Sequence, residues 1–230
     1  MASPAIRTPS TPELVAMVAC FMALNALGID IMLPALPDIA ATFGVTRKTD
    51  EQLTIVVYVA AFGVAQLAYG PLSDSYGRRP VLLVALVANL AATLWCLLAP
   101  SYGAFLAARA VQGASAAAAR VIAVAVVRDL LSGREMARVM SLALMVFMSV
   151  PILAPAIGQV VLLFGPWQWT FGFLFLSALG VAAWTWLRLP ETRPKDLRTP
   201  LTVVGAVRAY ADVVRDRRSE EHTSELQSPC

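Results

Sequence analysis

Apolar stretches long enough to cross a lipid bilayer recur along most of this chain, and they constrain its fold more than any other feature. A membrane-spanning helix needs about 20 predominantly apolar residues to cross roughly 30 Å of hydrocarbon. A composition of 58% hydrophobic and 14% charged residues lies far outside the range of water-soluble domains. The pattern predicts an all-α polytopic membrane protein with six spans, at residues 14–36, 52–70, 81–99, 104–127, 139–164 and 167–187.

The first apolar stretch is long, carries Asn25 and Asp30, and ends in a proline-bearing segment. A secretory signal peptide has a shorter apolar core and small residues at its cleavage site. We therefore expect this stretch to be retained as a membrane span.

Positive charges are distributed unevenly between the two sides of the predicted bundle. Lys and Arg in short loops stay on the cytoplasmic side of a membrane. With the N-terminus inside, the outer loops hold only Arg47 and Lys48, whereas the inner segments hold Arg7, Arg78, Arg79, Arg128, Arg134, Arg138, Arg188, Arg193, Lys195 and Arg198. The sequence thus predicts both ends in the cytoplasm. Because topology explains the net charge of +3, no nucleic-acid partner is expected.

The chain lacks the usual residues for metal or nucleotide chemistry. His222 is its single histidine, and no phosphate-binding run of the form GxxxxGK[ST] occurs. Cys20 and Cys96 lie inside predicted spans, where a thiol ordinarily acts as a small apolar filler. We therefore expect no metal, no cofactor and no enzymatic activity.

The chain changes character after the sixth span. Residues 1–13 are predicted to be a cytoplasmic tail, residues 14–188 the six-helix bundle, and residues 189–217 the start of a charged, proline-broken cytoplasmic linker. Within it, residues 201–216 predict a helix that lies on the membrane surface or is solvated. Residues 218–230 begin RSEEHTSELQS, which corresponds to a translation of a common sequencing-adapter DNA, and we interpret them as an artefact.

Three motifs carry a resemblance to a known family. The loop GPLSDSYGRRP at residues 70–80 combines turn-forming Gly and Pro with an acid and two arginines. RAVQG follows at residues 109–113, and VPILAPAIGQ at residues 150–159. The chain resembles the major facilitator superfamily, and within it the Bcr/CflA drug exporters of bacteria. The third motif is the weakest match, since Ala154 and Gln159 stand where that element normally has glycine.

The resemblance implies twelve spans in two six-helix halves, in the bacterial inner membrane, with each half built from two inverted three-helix repeats. It also implies proton-driven export of drugs or related small molecules. This chain would then be the N-terminal half, with protons, a drug or metabolite, the lipid bilayer and a missing C-terminal half as its partners. An uptake or metabolite permease of the same superfamily and a non-transporting six-helix scaffold are the alternatives.

Asp30 and Arg109 are candidate proton-coupling residues. A charged carboxylate in hydrocarbon is costly, so Asp30 is expected to face the bundle interior or a watery cavity. The two residues lie on antiparallel spans, each six residues from the outer boundary, at a depth of about 9 Å. An acid and a guanidinium at one depth can form a proton site, or a permanent ion pair that only orients helices. The resemblance assigns both residues to proton coupling.

The resemblance also assigns a conformational latch and a hinge. The latch comprises Gly70, Asp74, Gly77, Arg78 and Arg79, and the partner of Asp74 is expected in the second half. The hinge is the antiporter-like element of the fifth span, with Pro151, Pro155 and Gly158, because prolines kink helices. Asp129, next to Arg128, predicts only a solvated ion pair.

Candidate residues of a substrate cavity are Asn25, Tyr58, Gln112, Gly113, Arg120 and Met145. Arg120 follows Arg109 by eleven residues, which returns it to within about 20° of the same helix face. It either lines the same wall at greater depth or snorkels toward the inner boundary. The aromatic and methionine residues are equally compatible with ordinary packing.

Overall fold

The computed structural model describes residues 9–194, Asp196 and Arg198, and in this part of the chain all regular structure is helical. The α-helices are α1 (Thr11–Asp30), α2 (Leu36–Thr42), α3 (Lys48–Tyr76), α4 (Arg78–Leu98), α5 (Tyr102–Leu130), α6 (Gly133–Phe164) and α7 (Gln168–Arg188). A short 3-10 turn joins α1 to α2, and the two form one span of 32 residues. The described residues thus contain the six spans that the sequence predicts, and the predicted fold class is confirmed.

Some predicted features fall outside the described residues. They are Arg7, Lys195, the surface helix at residues 201–216 and the adapter-like residues 218–230.

The helix boundaries follow from local sequence. Ser101 caps α5 by accepting a hydrogen bond from the backbone N–H of Ala104 at 3.3 Å. Gly77 separates α3 from α4 with a φ of 103°, a backbone conformation that favours glycine. Pro71 lies inside α3, which continues past the predicted span end at residue 70 to Tyr76. The helix therefore extends beyond the apolar run into the polar loop.

The helix α5 occupies the centre of the bundle. It packs against α1, α3 and α4, and it is the most buried of the six spans. The alanines at positions 116–119 are buried, so neighbouring helices approach it closely. In contrast, α3 and α6 are the least buried spans, with Val64 72% and Ile152 77% exposed. Such apolar surface suits lipid or another membrane helix.

The spans pair in a regular way. The first packs against the fifth through α1 and α6, and the second against the fourth through α3 and α5. The third packs against the sixth through α4 and α7. This is the pairing that two inverted three-helix repeats would produce, but the repeat itself stays a prediction.

Two glycines lie where backbones come into direct contact. A Cβ atom on Gly113 of α5 would overlap the carbonyl oxygen of Tyr58 on α3, and one on Gly158 of α6 would overlap that of Ile31. A backbone oxygen cannot move aside as the end of a side chain can, so both contacts require glycine. The helix α6 runs without interruption through Pro151 and Pro155, and a hinge at these residues stays a prediction.

The close contact at Gly113 predicts that Gly113→Ala lowers stability by about 1–3 kcal/mol, because the added methyl group overpacks the α3–α5 interface. The matched control is Gly63→Ala, since a Cβ atom on Gly63 of α3 meets nothing within 4 Å. Alanine has a higher helix propensity than glycine, so the control variant should have the melting temperature of the parent or a higher one. Tryptophan fluorescence of the detergent-solubilised protein during heating measures both. Equal melting temperatures would contradict the packing argument.

Candidate functional site

The side chain of Arg109 is enclosed in the bundle with 0% exposure. Its Nη2 donates to the carbonyl oxygen of Gly28 at 3.0 Å, its Nε donates to that of Thr54 at 3.4 Å, and its Nη1 donates to Gln112 Oε1. The ring of Tyr58 lies 4.3 Å from the guanidinium carbon. These contacts stabilise the positive charge through neutral dipoles and an aromatic face.

The helix α4 orients the side chain of Gln112. Gln112 Nε2 donates to Thr93 Oγ1 at 2.7 Å, and Thr93 Oγ1 donates to the carbonyl oxygen of Asn89 at 2.7 Å. Asn89 Nδ2 donates to the carbonyl oxygen of Gln112 at 3.1 Å. The amide oxygen of Gln112 is thereby directed at Arg109. Asn89 and Thr93 are not among the predicted site residues, although two polar residues one turn apart in an apolar span are a detectable signal.

Aromatic residues close the bundle at the end where α5 begins. Phe105 lies one turn before Arg109, and its ring centroid is 5.6 Å from that of Phe171 and 5.8 Å from that of Trp167. Phe43 packs against the same ring at 5.4 Å. This apolar cluster separates the guanidinium from that end of the bundle.

Asp30 is the last residue of α1, two positions after Gly28, and its side chain is only partly buried. Among the described residues, no hydrogen bond or ion pair involves its carboxylate. The permanent Asp30–Arg109 ion pair, considered above as an alternative, is therefore not formed in this part of the chain. Tyr58, whose ring lies beside the guanidinium of Arg109, donates its hydroxyl to Asn25 Oδ1 on α1 at 3.4 Å.

The predicted cavity residues divide into buried and exposed groups. The buried group comprises Asn25, Tyr58, Gln112 and Gly113. Arg120 and Met145 are exposed, and the Arg120 guanidinium lies 5.3 Å from the ring of Phe147 on α6. Arg120 and Arg109 lie on nearly the same face of α5, but Arg120 contacts α6 whereas Arg109 contacts α1 and α3. Contact of any of these residues with a substrate stays a prediction.

A second charged cluster surrounds the α3–α4 loop. Arg78 is 6% exposed, and it pairs with Asp74 at 2.7 Å and with Asp129 of α5 at 3.0 Å. Asp74 also lies 3.5 Å from Arg193 Nη1. Asp74, whose partner was expected in the second half, is thus paired within this chain. The prediction that Asp129 forms a solvated pair with Arg128 is wrong, because its carboxylate faces Arg78.

The segment that follows α7 folds back onto this loop. Glu191 Oε1 accepts a hydrogen bond at 2.9 Å from the backbone N–H of Arg78, in the first turn of α4. An acid at this place satisfies a free helix N–H and complements the helix dipole. A Cβ atom on Gly77 would displace the Glu191 carboxylate, so a side chain here would disturb this contact in addition to straining the φ. Glu191 lies in the segment predicted to be the linker, and no local pattern in the sequence indicates this contact.

The remaining predicted latch residues also have defined contacts. The carbonyl oxygen of Gly70 accepts from Ser73 Oγ at 3.1 Å. Arg79 Nη2 donates to the carbonyl oxygen of Trp186 at 2.7 Å, which connects the start of α4 to the end of α7.

The buried position of Arg78 predicts that Asp129→Asn lowers stability by about 1–3 kcal/mol, because an enclosed guanidinium loses a charged acceptor. Arg128→Gln is the control, since Arg128 is exposed on the same turn, and a change of less than about 0.5 kcal/mol is expected there. Unfolding by titration with a denaturing detergent measures both variants. Equal losses of stability in the two variants would instead indicate a solvated ion pair between Arg128 and Asp129.

Comparison with known proteins identifies the family. The profile described as Major Facilitator Superfamily matches residues 18–218. A chloramphenicol resistance protein of Pseudomonas aeruginosa is 39% identical over 78% of this chain and 43% of its own length. A bicyclomycin resistance protein homolog of Haemophilus influenzae is 37% identical over 77% of this chain and 44% of its own length. The MFS-type transporter YdgK of Bacillus subtilis is 33% identical over 84% of this chain and 48% of its own length.

This chain therefore spans just under half the length of these relatives. A solved structure of the human organic anion transporter MFSD10 (TETRAN) has a TM-score of 0.68 at 24% identity, covering 86% of this chain and 53% of that chain. The structural likeness concerns the fold alone. Because the profile matches most of its length, this chain belongs to the major facilitator superfamily.

Proposed function

We propose that this chain is the N-terminal half of a proton-coupled antiporter that exports drugs or related small molecules across the bacterial inner membrane. Relatives named for resistance to chloramphenicol and bicyclomycin support the drug-export part of the proposal. Coverage of just under half of each relative is what an N-terminal half would give. The observation that carries the proton-coupling part is an enclosed Arg109 that donates to the carbonyl oxygen of Gly28, two residues before an unpaired, partly buried Asp30.

The two charged residues have different chemical roles in this proposal. A guanidinium keeps its charge at every physiological pH, whereas a carboxyl group can exchange a proton. Arg109 therefore supplies a fixed positive potential, and Asp30 is the group that changes charge. Since no described residue pairs with its carboxylate, Asp30 can bind and release a proton without breaking a salt bridge.

The contacts of Arg109 can couple this charge to helix position. Its acceptors come from α1, α3 and α5, through Gly28, Thr54 and Gln112. A displacement of α1 relative to α5 would leave a buried N–H without its acceptor, at a cost of about 1–3 kcal/mol. A change in charge at Asp30, two residues from Gly28, would change the electrostatic energy of the hydrogen bond between Arg109 and the Gly28 carbonyl oxygen. Proton binding would thereby bias the position of the first span.

The cluster around Arg78 serves as the conformational latch in the same scheme. The side chain of Asp74 is 36% exposed, so it can also bind a partner from the second half. Alternating access requires one half to move against the other around a midplane site. The exposed apolar faces of α3 and α6 are the surfaces proposed to meet the second half, with Pro151 and Pro155 as the hinge of α6. The Arg78 end of the bundle would face the cytoplasm.

The proposal predicts that Asp30→Asn abolishes export, because an amide keeps the size of the side chain but cannot carry the proton. The gene is expressed together with its downstream coding sequence, and chloramphenicol accumulation is measured in cells with an imposed proton gradient. Accumulation in the variant should match that of cells without the protein.

Asp38→Asn is the matched control, because Asp38 is an exposed acid on α2 of the same span. It should export as the parent does, and collapse of the proton gradient should stop export in both. Undiminished export by Asp30→Asn would overturn the assignment of the proton site. Gradient-driven uptake in the parent would instead support the permease alternative, and no transport of any drug tested would support the scaffold.

A further inference from the structure

A cavity of about 640 Å³ lies at the end of the bundle where α4 begins and α7 ends. Arg79 and Leu83 of α4 form one wall, and Trp186 of α7 forms another. The segment that follows α7 completes it with Arg193 and Arg198. The cavity adjoins the charged cluster around Arg78, and neither Asp30 nor Arg109 lines it.

The cavity has an excess of positive charge. Three arginines, Arg79, Arg193 and Arg198, line it together with one acid, Glu191. Arg193 also lies 3.5 Å from Asp74, whose carboxylate is shared with Arg78. Glu191 is already shared, since its Oε1 accepts from the backbone N–H groups of Arg78 and Arg193, and its Oε2 lies 3.7 Å from Arg198 Nη2. The Nε atom of each of the three arginines is buried and has no hydrogen-bond partner among the described residues. Because unsatisfied buried donors are costly, a ligand that brings anionic oxygen acceptors to these N–H groups would be stabilised here.

An apolar surface continues from the cavity along both helices. Val87, one turn after Leu83 on α4, is 62% exposed, and Leu179, about two turns before Trp186 on α7, is 44% exposed. The helices α4 and α7 pack against each other, so these side chains extend the cavity walls toward the middle of the bundle. Trp186 is 64% exposed at the end of its helix, where membrane proteins place tryptophan at headgroup level.

We propose that this cavity binds an anionic phospholipid, with the phosphodiester between Arg79, Arg193 and Arg198 and an acyl chain along Val87 and Leu179. Arginine holds phosphate oxygens through its N–H donors, and the Nε donors of these three arginines have no acceptor among the described residues. Basic pockets between membrane helices at this level are suited to acidic headgroups. The proposal does not depend on transport.

A lipid phosphate fits this position better than a free phosphate ion. The cavity has a cationic part and an adjoining apolar part, and only a ligand with both a phosphate and a hydrocarbon chain contacts both. The bilayer also presents such headgroups directly beside the end of α7.

The test is lipid binding to the purified full chain in a neutral detergent, followed by native mass spectrometry. Dioleoyl phosphatidylglycerol should remain bound where dioleoyl phosphatidylcholine does not. The double variant Arg79→Gln/Arg198→Gln should bind phosphatidylglycerol about tenfold or more weakly, because each basic residue near an anionic headgroup contributes roughly fivefold. The matched control is Arg134→Gln/Arg138→Gln, which removes the same charge from exposed positions on α6 and should bind as the parent does.

Two outcomes of this titration would overturn the proposal. Equal weakening in both double variants would show that only overall charge matters. Loss of the lipid on addition of an equal concentration of inorganic phosphate would show a site for free anions.

Photocrosslinking of the parent protein keeps the proposal testable if the double variant does not fold. A phosphatidylglycerol with a photoreactive acyl chain should label α4 and α7 near Val87 and Leu179. Labelling confined to α3 and α6 would exclude the site.

Discussion

A guanidinium that cannot lose its charge lies inside an apolar bundle, and much of the surrounding architecture follows from the need to satisfy it. Its donors reach carbonyl oxygens on α1 and α3, so both helices must come within hydrogen-bonding distance of α5. Gly113 makes the approach of α3 possible, since any side chain there would collide with the backbone of Tyr58. A buried charge without its acceptors is far more costly than a packing defect. The hydrogen bonds of Arg109 therefore govern the arrangement of the first four spans.

The spans and the central residues of the site could be predicted from the sequence because they depend on local information. Bilayer thickness determines the length of an apolar run, and the motif at residues 109–113 identifies Arg109 and Gln112 directly. Thr54 and Thr93, which contact these two side chains, come from other helices, and the sequence contains no local signal for the register between helices. Counting residues from the outer span boundaries indicates that Asp30 and Arg109 lie at a similar depth in the membrane. It does not determine the rotation of α1, which directs the carbonyl oxygen of Gly28 to the guanidinium, while Asp30 lies about 200° further around the helix.

The charged cluster at the α3–α4 loop illustrates a second limit of local reasoning. Arg128 and Asp129 are neighbours in sequence, but consecutive residues on a helix point about 100° apart and do not face each other. Asp129 instead faces Arg78, and Glu191 faces the first turn of α4, across 51 and 113 residues of chain respectively. Tertiary contacts of this length follow from the packing of α4 against α5 and α7, which only the folded bundle defines.

The contact between Glu191 and the start of α4 has a consequence for biosynthesis. After Arg78 the ribosome must add 113 residues, the last of them Glu191, before the contact can form, which at about 5–20 residues per second takes roughly 6–23 s. During that interval the first turn of α4 has a free N–H, and Gly77 faces an unfilled space. The nascent helices can therefore enter the membrane one after another, whereas the loop acquires its final geometry only after the sixth helix has been translated.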